Sequence, residues 1–259
     1  MKEPQFYSLI TDCIDSNAVA RQELHAQILF PGIAPTITGV HDVVALAGNI
    51  IDLVSVARHT DARGIILGNR APRAHVQNKY DNGAPFVYAW CGDVLLVVTY
   101  SEELHAILKE FLDIDTWYLP SDDMREKINE SYHVDPTTQF RSLFYAPCLA
   151  HYVMNHADEE GTPIEHDTLP DVHPWSVWHI DNFGNLKTLA TMDDYEASAL
   201  SINGAVVPVV KRLKDAPDNH LVVIEGSSGI DSKKFLEVVV QGGSAAERLH
   251  KDIRDNLAQ

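Results

Sequence analysis

The sequence is poor in cysteine, in basic residues and in long apolar runs, and each shortage closes off a class of protein. Its three cysteines, Cys13, Cys91 and Cys148, are odd in number and contain no CxxC pair, which argues against a disulfide framework or a zinc ribbon. No stretch approaches the roughly 20 apolar residues that span a bilayer. The start MKEPQFYSLITD puts charge and proline where a signal segment needs apolar residues, so the expected compartment is the cytoplasm, with no membrane partner. With 20 bases against 37 acids the formal charge is -17, which repels phosphate backbones and makes nucleic acid an unexpected partner. Internal repeats and low-complexity tracts are also missing.

What remains is an ordinary globular composition, 45% hydrophobic and 22% charged over 259 residues, a length suited to two domains. The first 120 residues alternate short apolar runs with amphipathic stretches, the pattern of an α/β fold with a largely parallel sheet. Strands are expected at Phe6–Thr11, Thr36–Val40 and Gly64–Gly68. A hairpin is expected from Phe86–Trp90 and Val94–Val98 around Gly92-Asp93. Helices are expected from Ala18 to Leu29, capped by Ser16, and from Asp42 onward, where Val43, Leu46, Ala47, Ile50, Ile51 and Val54 share a face. Leu104, Ile107, Leu108, Phe111 and Leu112 carry the spacing of another.

From Ala157 to Pro174 the chain turns acidic and rich in proline and histidine, the composition of a linker. The expected division is an α/β domain over residues 1–160, a linker over 161–174 and a smaller, β-barrel-like domain over 175–259. Strand-like runs in the last part fall at Trp175–Ile180, Leu186–Ala190, Val206–Leu213, Leu221–Glu225 and Phe235–Val240, with a closing helix at Ser244–Leu257.

Four segments carry the chemistry. In LITDCIDSNAVA, Asp12 ends a strand and Asp15 precedes a helix. A carboxylate there can take both hydroxyls of a ribose diol, and ligands of open α/β sheets bind beyond the carboxyl ends of strands. Read plainly, Asp12 is a loop carboxylate. QFRSLFYAPCLAHYV holds Arg141. HIDNFGNLKT holds Asp181, Phe183, Gly184 and Asn185, which a tight hairpin turn also explains. VIEGSSGIDSKKFLEVVVQGGSAAERL offers Ser227, Ser228, Gly243, Ser244 and Ala245, small residues over which a flat ring can lie. There is no GxxxxGK phosphate loop.

In content and order these segments resemble those of the S-adenosylmethionine hydroxide adenosyltransferase family and its fluorinase and chlorinase relatives. The resemblance implies an α/β domain joined to a smaller β-rich one. It also implies a homotrimer, with sites between one subunit's large domain and its neighbour's small one. S-adenosylmethionine is then substrate or ligand and no separate cofactor is expected. The residue roles it implies are Asp12 at the ribose, with Asp15 as the family's second aspartate, Asp181 and Asn185 at the methionine end, and Phe183 as an aromatic wall of the substrate site. Ser227, Ser228, Gly243 and Ala245 would stand at the adenine.

The catalytic loop departs from the family. LGNRAPRAH places Asn69 where the hydrolytic members carry an aspartate. An amide can orient water but cannot accept its proton at neutral pH. Arg73 survives as the loop arginine, and TTQFRS puts Phe140 or Gln139 in the histidine neighbourhood. The catalytic candidates are therefore Arg73, Asn69 and Arg141, with His75 and His133 as relocated bases. Phe140 would crowd a halide pocket. The histidines around the linker, His151, His156, His166, His173 and His179, lack metal-site spacing and read as solvated. The readings kept open are hydrolysis of S-adenosylmethionine to adenosine and methionine, a non-catalytic nucleoside-binding protein of the same fold, and a structural trimer with a degenerate pocket.

Overall fold

The amino-terminal chain alternates strand and helix because its apolar residues alternate between periods of two and 3.6. The computed structural model describes residues 3–70, 83–165 and 169–258. In it, β1 (Phe6–Thr11) leads to α1 (Ser16–Leu29), β2 (Thr36–Gly39) to α2 (Val43–His59), and then to β3 (Gly64–Asn69). The hairpin of β4 (Phe86–Cys91) and β5 (Val94–Thr99) turns at Gly92, whose φ of 61° suits a glycine. There follow α3 (Glu102–Phe111), β6 (Tyr118–Leu119), α4 (Asp122–Tyr132), α5 (Arg141–Phe144), α6 (Ala146–Asn155) and β7 (Thr162–Pro163).

These strands form one sheet in the order β2-β1-β3-β5-β4-β6-β7. The pairings β1 with β2, β1 with β3 and β3 with β5 are parallel. Both faces are covered, as a parallel sheet requires. Tyr7, Leu9, Ile65, Leu67, Leu95 and Val97 face a core shared with Ala26, Met124 and Leu149. Ile10, Ile66, Leu96 and Val98 alternate to the opposite face and meet α2 and α3. The segment read as linker carries β7, and Ile164 and Val172 pack against the second core.

The rest of the chain contains β8 (Val177–Ile180), β9 (Leu186–Thr188), α7 (Met192–Ala197), β10 (Ser201–Ile202), β11 (Ala205–Val206), β12 (Leu221–Ile230), β13 (Lys233–Val240) and α8 (Ala245–Leu249). Four of these strands make a separate antiparallel sheet in the order β12-β13-β9-β8. Its inner face packs on α2, where Trp178 and Phe235 join the large domain's core. Gly48 makes that possible, because a Cβ there would stand 2.3 Å from the Trp178 ring. Arg254 adds a polar tie, donating to Asp42 at the start of α2 at 2.8 Å and to Glu103 on α3. Among the described residues no helix is long and apolar enough to cross a membrane.

Four local expectations need correction. The α1 cap is Asp15, whose carboxylate accepts from Asn17 N and Ala18 N, and Ser16 is already helical. The run Val206–Leu213 is not one strand. Pro208 has no N–H, and the segment past it meets the β12 edge through two bonds, Val223 N to Pro208 O and Val210 N to Val223 O. The closing helix stops at Leu249, where His250 takes φ 50°. The chain then extends so that Leu257 is buried and Asn256 bridges Ser176. Finally, GSSG does not end its strand. It runs inside β12, with the register slipping between Glu225 and Gly229.

Candidate functional site

Three parallel strands end side by side and bring Thr11, Asn69 and Thr99 to the carboxyl edge of the large sheet. The register pairs Thr11 with Asn69 and Gly68 with Val98. Asp12 is the first residue past β1, and its N–H donates to Asn69 O at 3.1 Å. Asn69 is buried, 8% exposed as a residue. Its Nδ2 donates to Thr11 Oγ1 at 3.1 Å and to Asp12 Oδ1 at 3.2 Å. Its Oδ1 accepts from Thr99 Oγ1 at 3.4 Å. Cys13 Sγ also approaches Asp12 Oδ1, at 3.4 Å.

This network explains the asparagine. A carboxylate at position 69 would face the Asp12 carboxylate across about one hydrogen-bond length, and like charges that close destabilise each other. The amide instead supplies a donor and fixes the Asp12 side chain from a neighbouring strand. Both Asn69 donors are thereby used within the protein, which leaves only acceptor capacity at Oδ1 for a water. Asn69 is a positioning residue for Asp12. Arg73 and His75 lie outside the described residues. His133 is the exposed, left-handed C-cap of α4.

The second set is the turn between β8 and β9. Asp181 Oδ1 accepts from Phe183 N at 2.8 Å and Asn185 N at 3.0 Å, and Asp181 Oδ2 accepts from Asn185 Nδ2 at 2.9 Å. Burial pushes the Asp181 carboxyl up, but these bonds and Lys187 outweigh it, and the net shift is downward. Gly184 has φ 78°, and a Cβ on it would stand 2.0 Å from Ser244 Oγ, so the turn is clamped against the start of α8. Ala246 N donates to Gly184 O at 2.9 Å. Phe183, at the tip, is 79% exposed.

The remaining candidates have structural employment. Ser228 is buried, and its hydroxyl accepts from Lys187 Nζ at 2.8 Å. Lys187 Nζ also lies 3.8 Å from the Glu237 carboxylate and over the Trp178 ring. Gly226 is required beside this group, since a Cβ would approach Glu237 Oε1 to 2.3 Å. Ser227 and Gly243 are exposed, and Ala245 is fully buried in the small domain's core. Arg141 donates to Ala84 O at 2.7 Å and stacks over Phe86. It faces a cavity whose described walls include neither Asp12 nor Asn69.

The structure thus brings Asp12 together with Asn69, and Asp181 with Asn185, each pair held by bonds of its own. The sequence reading missed the second layer: Thr11 and Thr99 flanking Asn69, and Lys187 with Glu237 behind the GSSG segment. Strand-end threonines and a lysine in NLKT were the available signals.

Comparison with known proteins bears on these two halves unequally. Residues 175–258 match the family model of the SAM hydroxide adenosyltransferase C-terminal domain. Comparison with curated sequences gave no significant match. An uncharacterized conserved protein from Thermotoga maritima has a similar structure, with a TM-score of 0.67 and 18% identity, covering 96% of this chain and 97% of that one. A conserved hypothetical protein from Thermus thermophilus is also similar, with a TM-score of 0.59 and 18% identity over 98% and 97% of the two chains. At such identity these likenesses show a shared fold across both domains. The family match falls on the residues that form the DNFGNL turn and the GSSG strand, so it is the carboxyl-terminal part of the chain that is similar to the SAM hydroxide adenosyltransferase C-terminal domain.

Proposed function

We propose that the protein hydrolyses S-adenosylmethionine to adenosine and methionine. The observation that carries this reading is the Asp12 carboxylate, set beyond the carboxyl end of β1 and oriented by an amide from β3, where an open α/β sheet takes its ligand. Asp12 would bind the ribose hydroxyls. A water oxygen attacks the ribose C5′, the C5′–S bond breaks with its electron pair going to sulfur, and the water's proton passes to solvent. The positively charged sulfur is a good leaving group, so alignment and desolvation of the water can supply much of the acceleration without a strong base.

In this reading Phe183, Asp181 and Asn185 receive the methionine end of a ligand held on a neighbouring copy, within a homotrimer. The exposure of Phe183 supports that placement, since a large aromatic ring on a rigid turn suits a covered contact. Arg73 would help position the water.

A second reading, binding without turnover, is favoured by Asn69. Its donors are consumed by Thr11 and Asp12, and no carboxylate stands there to take a proton. The test is incubation of the purified protein with S-adenosylmethionine, chromatography for adenosine and methionine, and the same assay on Asp12→Ala. Both products from the unaltered protein, with a loss of at least about 100-fold in the variant, are expected. Saturable thermal stabilisation without products would establish the binding reading; at 100 times Kd it amounts to about 2.7 kcal/mol. Absence of both products and stabilisation would leave the structural trimer.

A further inference from the structure

A cavity with a volume of about 260 Å³, whose described lining includes neither Asp12 nor Asn69, opens between the start of β4, the end of β6, α4 and α5. Its apolar wall includes Phe86, Leu119 and Val134, and its polar groups include Arg125, Arg141, Tyr145 and Asn129, with the carboxylate of the exposed Asp135 at the rim, where Oδ1 accepts from Thr137 N and Oγ1. The volume lies just under the roughly 300 Å³ at which pockets for drug-sized ligands begin, so it suits a smaller molecule.

Three features of this cavity are unexplained by folding. Arg141 is half-buried and, among the described residues, has no carboxylate partner; it donates to the Ala84 carbonyl and rests on the Phe86 ring. Burial works against its charge, with only Tyr145 opposing. The Tyr145 hydroxyl is buried without a hydrogen-bond partner, and so is Asn129 Oδ1. Arg125, Arg141 and Tyr145 all line this cavity. Arg125 is already engaged by Asp122 and the Pro120 carbonyl, whereas Arg141 has no ion pair among the described residues. A half-buried cation and two orphaned polar atoms each cost stability. One occupant would satisfy all three: an anion for Arg141 and Tyr145, carrying a donor for Asn129 Oδ1.

We infer that this cavity binds a small organic carboxylate with an apolar body and a hydroxyl or amine donor, its carboxylate on Arg141 and the Tyr145 hydroxyl. Phosphate or sulfate alone would leave the Phe86, Leu119 and Val134 wall uncovered. An apolar alcohol would leave Arg141 unpaired. The inference is independent of the S-adenosylmethionine reading.

The test is calorimetric titration and thermal shift of the whole protein with 4-hydroxybenzoate, and in parallel with phenol and with inorganic phosphate, no S-adenosylmethionine being present. Saturable binding of 4-hydroxybenzoate is expected, at least about tenfold tighter than either control. Tyr145→Phe removes only an unpartnered hydroxyl, so it should fold as the parent does and bind about tenfold more weakly. Arg141→Gln should abolish the response while leaving the unliganded protein as stable as the parent or more so, because an unpaired charge has gone. Equal binding of phosphate, equal binding of phenol, no saturable response, or an unchanged Kd in Tyr145→Phe would each overturn the proposal.

Discussion

Asp12 and Asp181 are both held by an asparagine, yet the two arrangements are built on different scales. Asp181 collects three donors from within four residues, and its net downward shift is what such a turn produces. A folded β8–β9 hairpin needs this carboxylate whether or not a ligand ever arrives. Asp12 takes its amide from Asn69, 57 positions away on another strand, besides the adjacent Cys13 thiol, and caps no helix among the described residues. Asp15, three residues on, does the capping of α1. Local employment explains a carboxylate by itself; a long-range support aimed at a sheet edge asks for a further purpose. The contrast gives the amino-terminal half of the site its weight, although the family match falls on the other half.

The sharpest way to break the comparison is to make Asn69 resemble its partner. Asn69→Asp replaces a buried donor by a second carboxylate facing Asp12. It should cost about 2–3 kcal/mol at pH 7 in urea unfolding. The loss should shrink as pH falls, because protonation of the introduced carboxyl removes the like-charge repulsion and restores a donor. A neutral or stabilising effect at pH 7 would show that Asn69 does not hold Asp12 in the way described.

The reciprocal change, Asp181→Ala, should act on a smaller scale. It removes three bonds from a turn open to solvent, which screening reduces to about 1 kcal/mol. Because the folded-state carboxyl sits below its ordinary value, the stability it contributes is present above the unfolded value near about 3.9 and is lost as pH falls through the folded one. The gap between parent and variant should therefore be full at pH 7 and close in acid. A gap that does not depend on pH would mean the loss comes from turn geometry and not from charge.

Much of the large sheet was readable because its elements are short and strictly patterned. The Phe6–Thr11 strand and the Asp42 cap fall where periodicity placed them, and the Gly92-Asp93 hairpin has no competing interpretation. Long-range facts were beyond reach. No local pattern says that Gly48 must clear the Trp178 ring, or that the small sheet covers α2. The segment from Asp113 onward was harder still, although Ser121 followed by Asp122 and Asp123 is a plain helix start, and α4 begins there. Around Val206 to Leu213 apolar residues suggested a strand, but Pro208 cannot donate to one. At the end, Leu257 continued the helical spacing only by coincidence, since its burial comes from chain folded back toward Trp175. For the site, DNFGNL was recognisable because its turn is local. The support of Asp12 by Asn69 was not, since it exists only once β1 and β3 pair.

The smallest effect concerns a third carboxylate, which separates the two kinds of support within one side chain. Glu237 lies behind the GSSG segment, 10% exposed at its side chain, with Lys187 at 3.8 Å. Burial raises its carboxyl above the ordinary glutamate value, and Lys187 only partly offsets this. A raised folded value means the folded protein holds the proton more tightly than the unfolded one, so stability is fully present below the unfolded value near about 4.3 and declines as pH rises through the folded value. Glu237→Gln removes the charge while keeping the shape. It should match the parent near about pH 4 and exceed it by up to about 1 kcal/mol at pH 7. Unfolding curves at the two pH values decide the matter. A variant less stable than the parent at pH 7 would mean that the ion pair with Lys187 outweighs the burial of Glu237, and that the GSSG strand rests on charge after all.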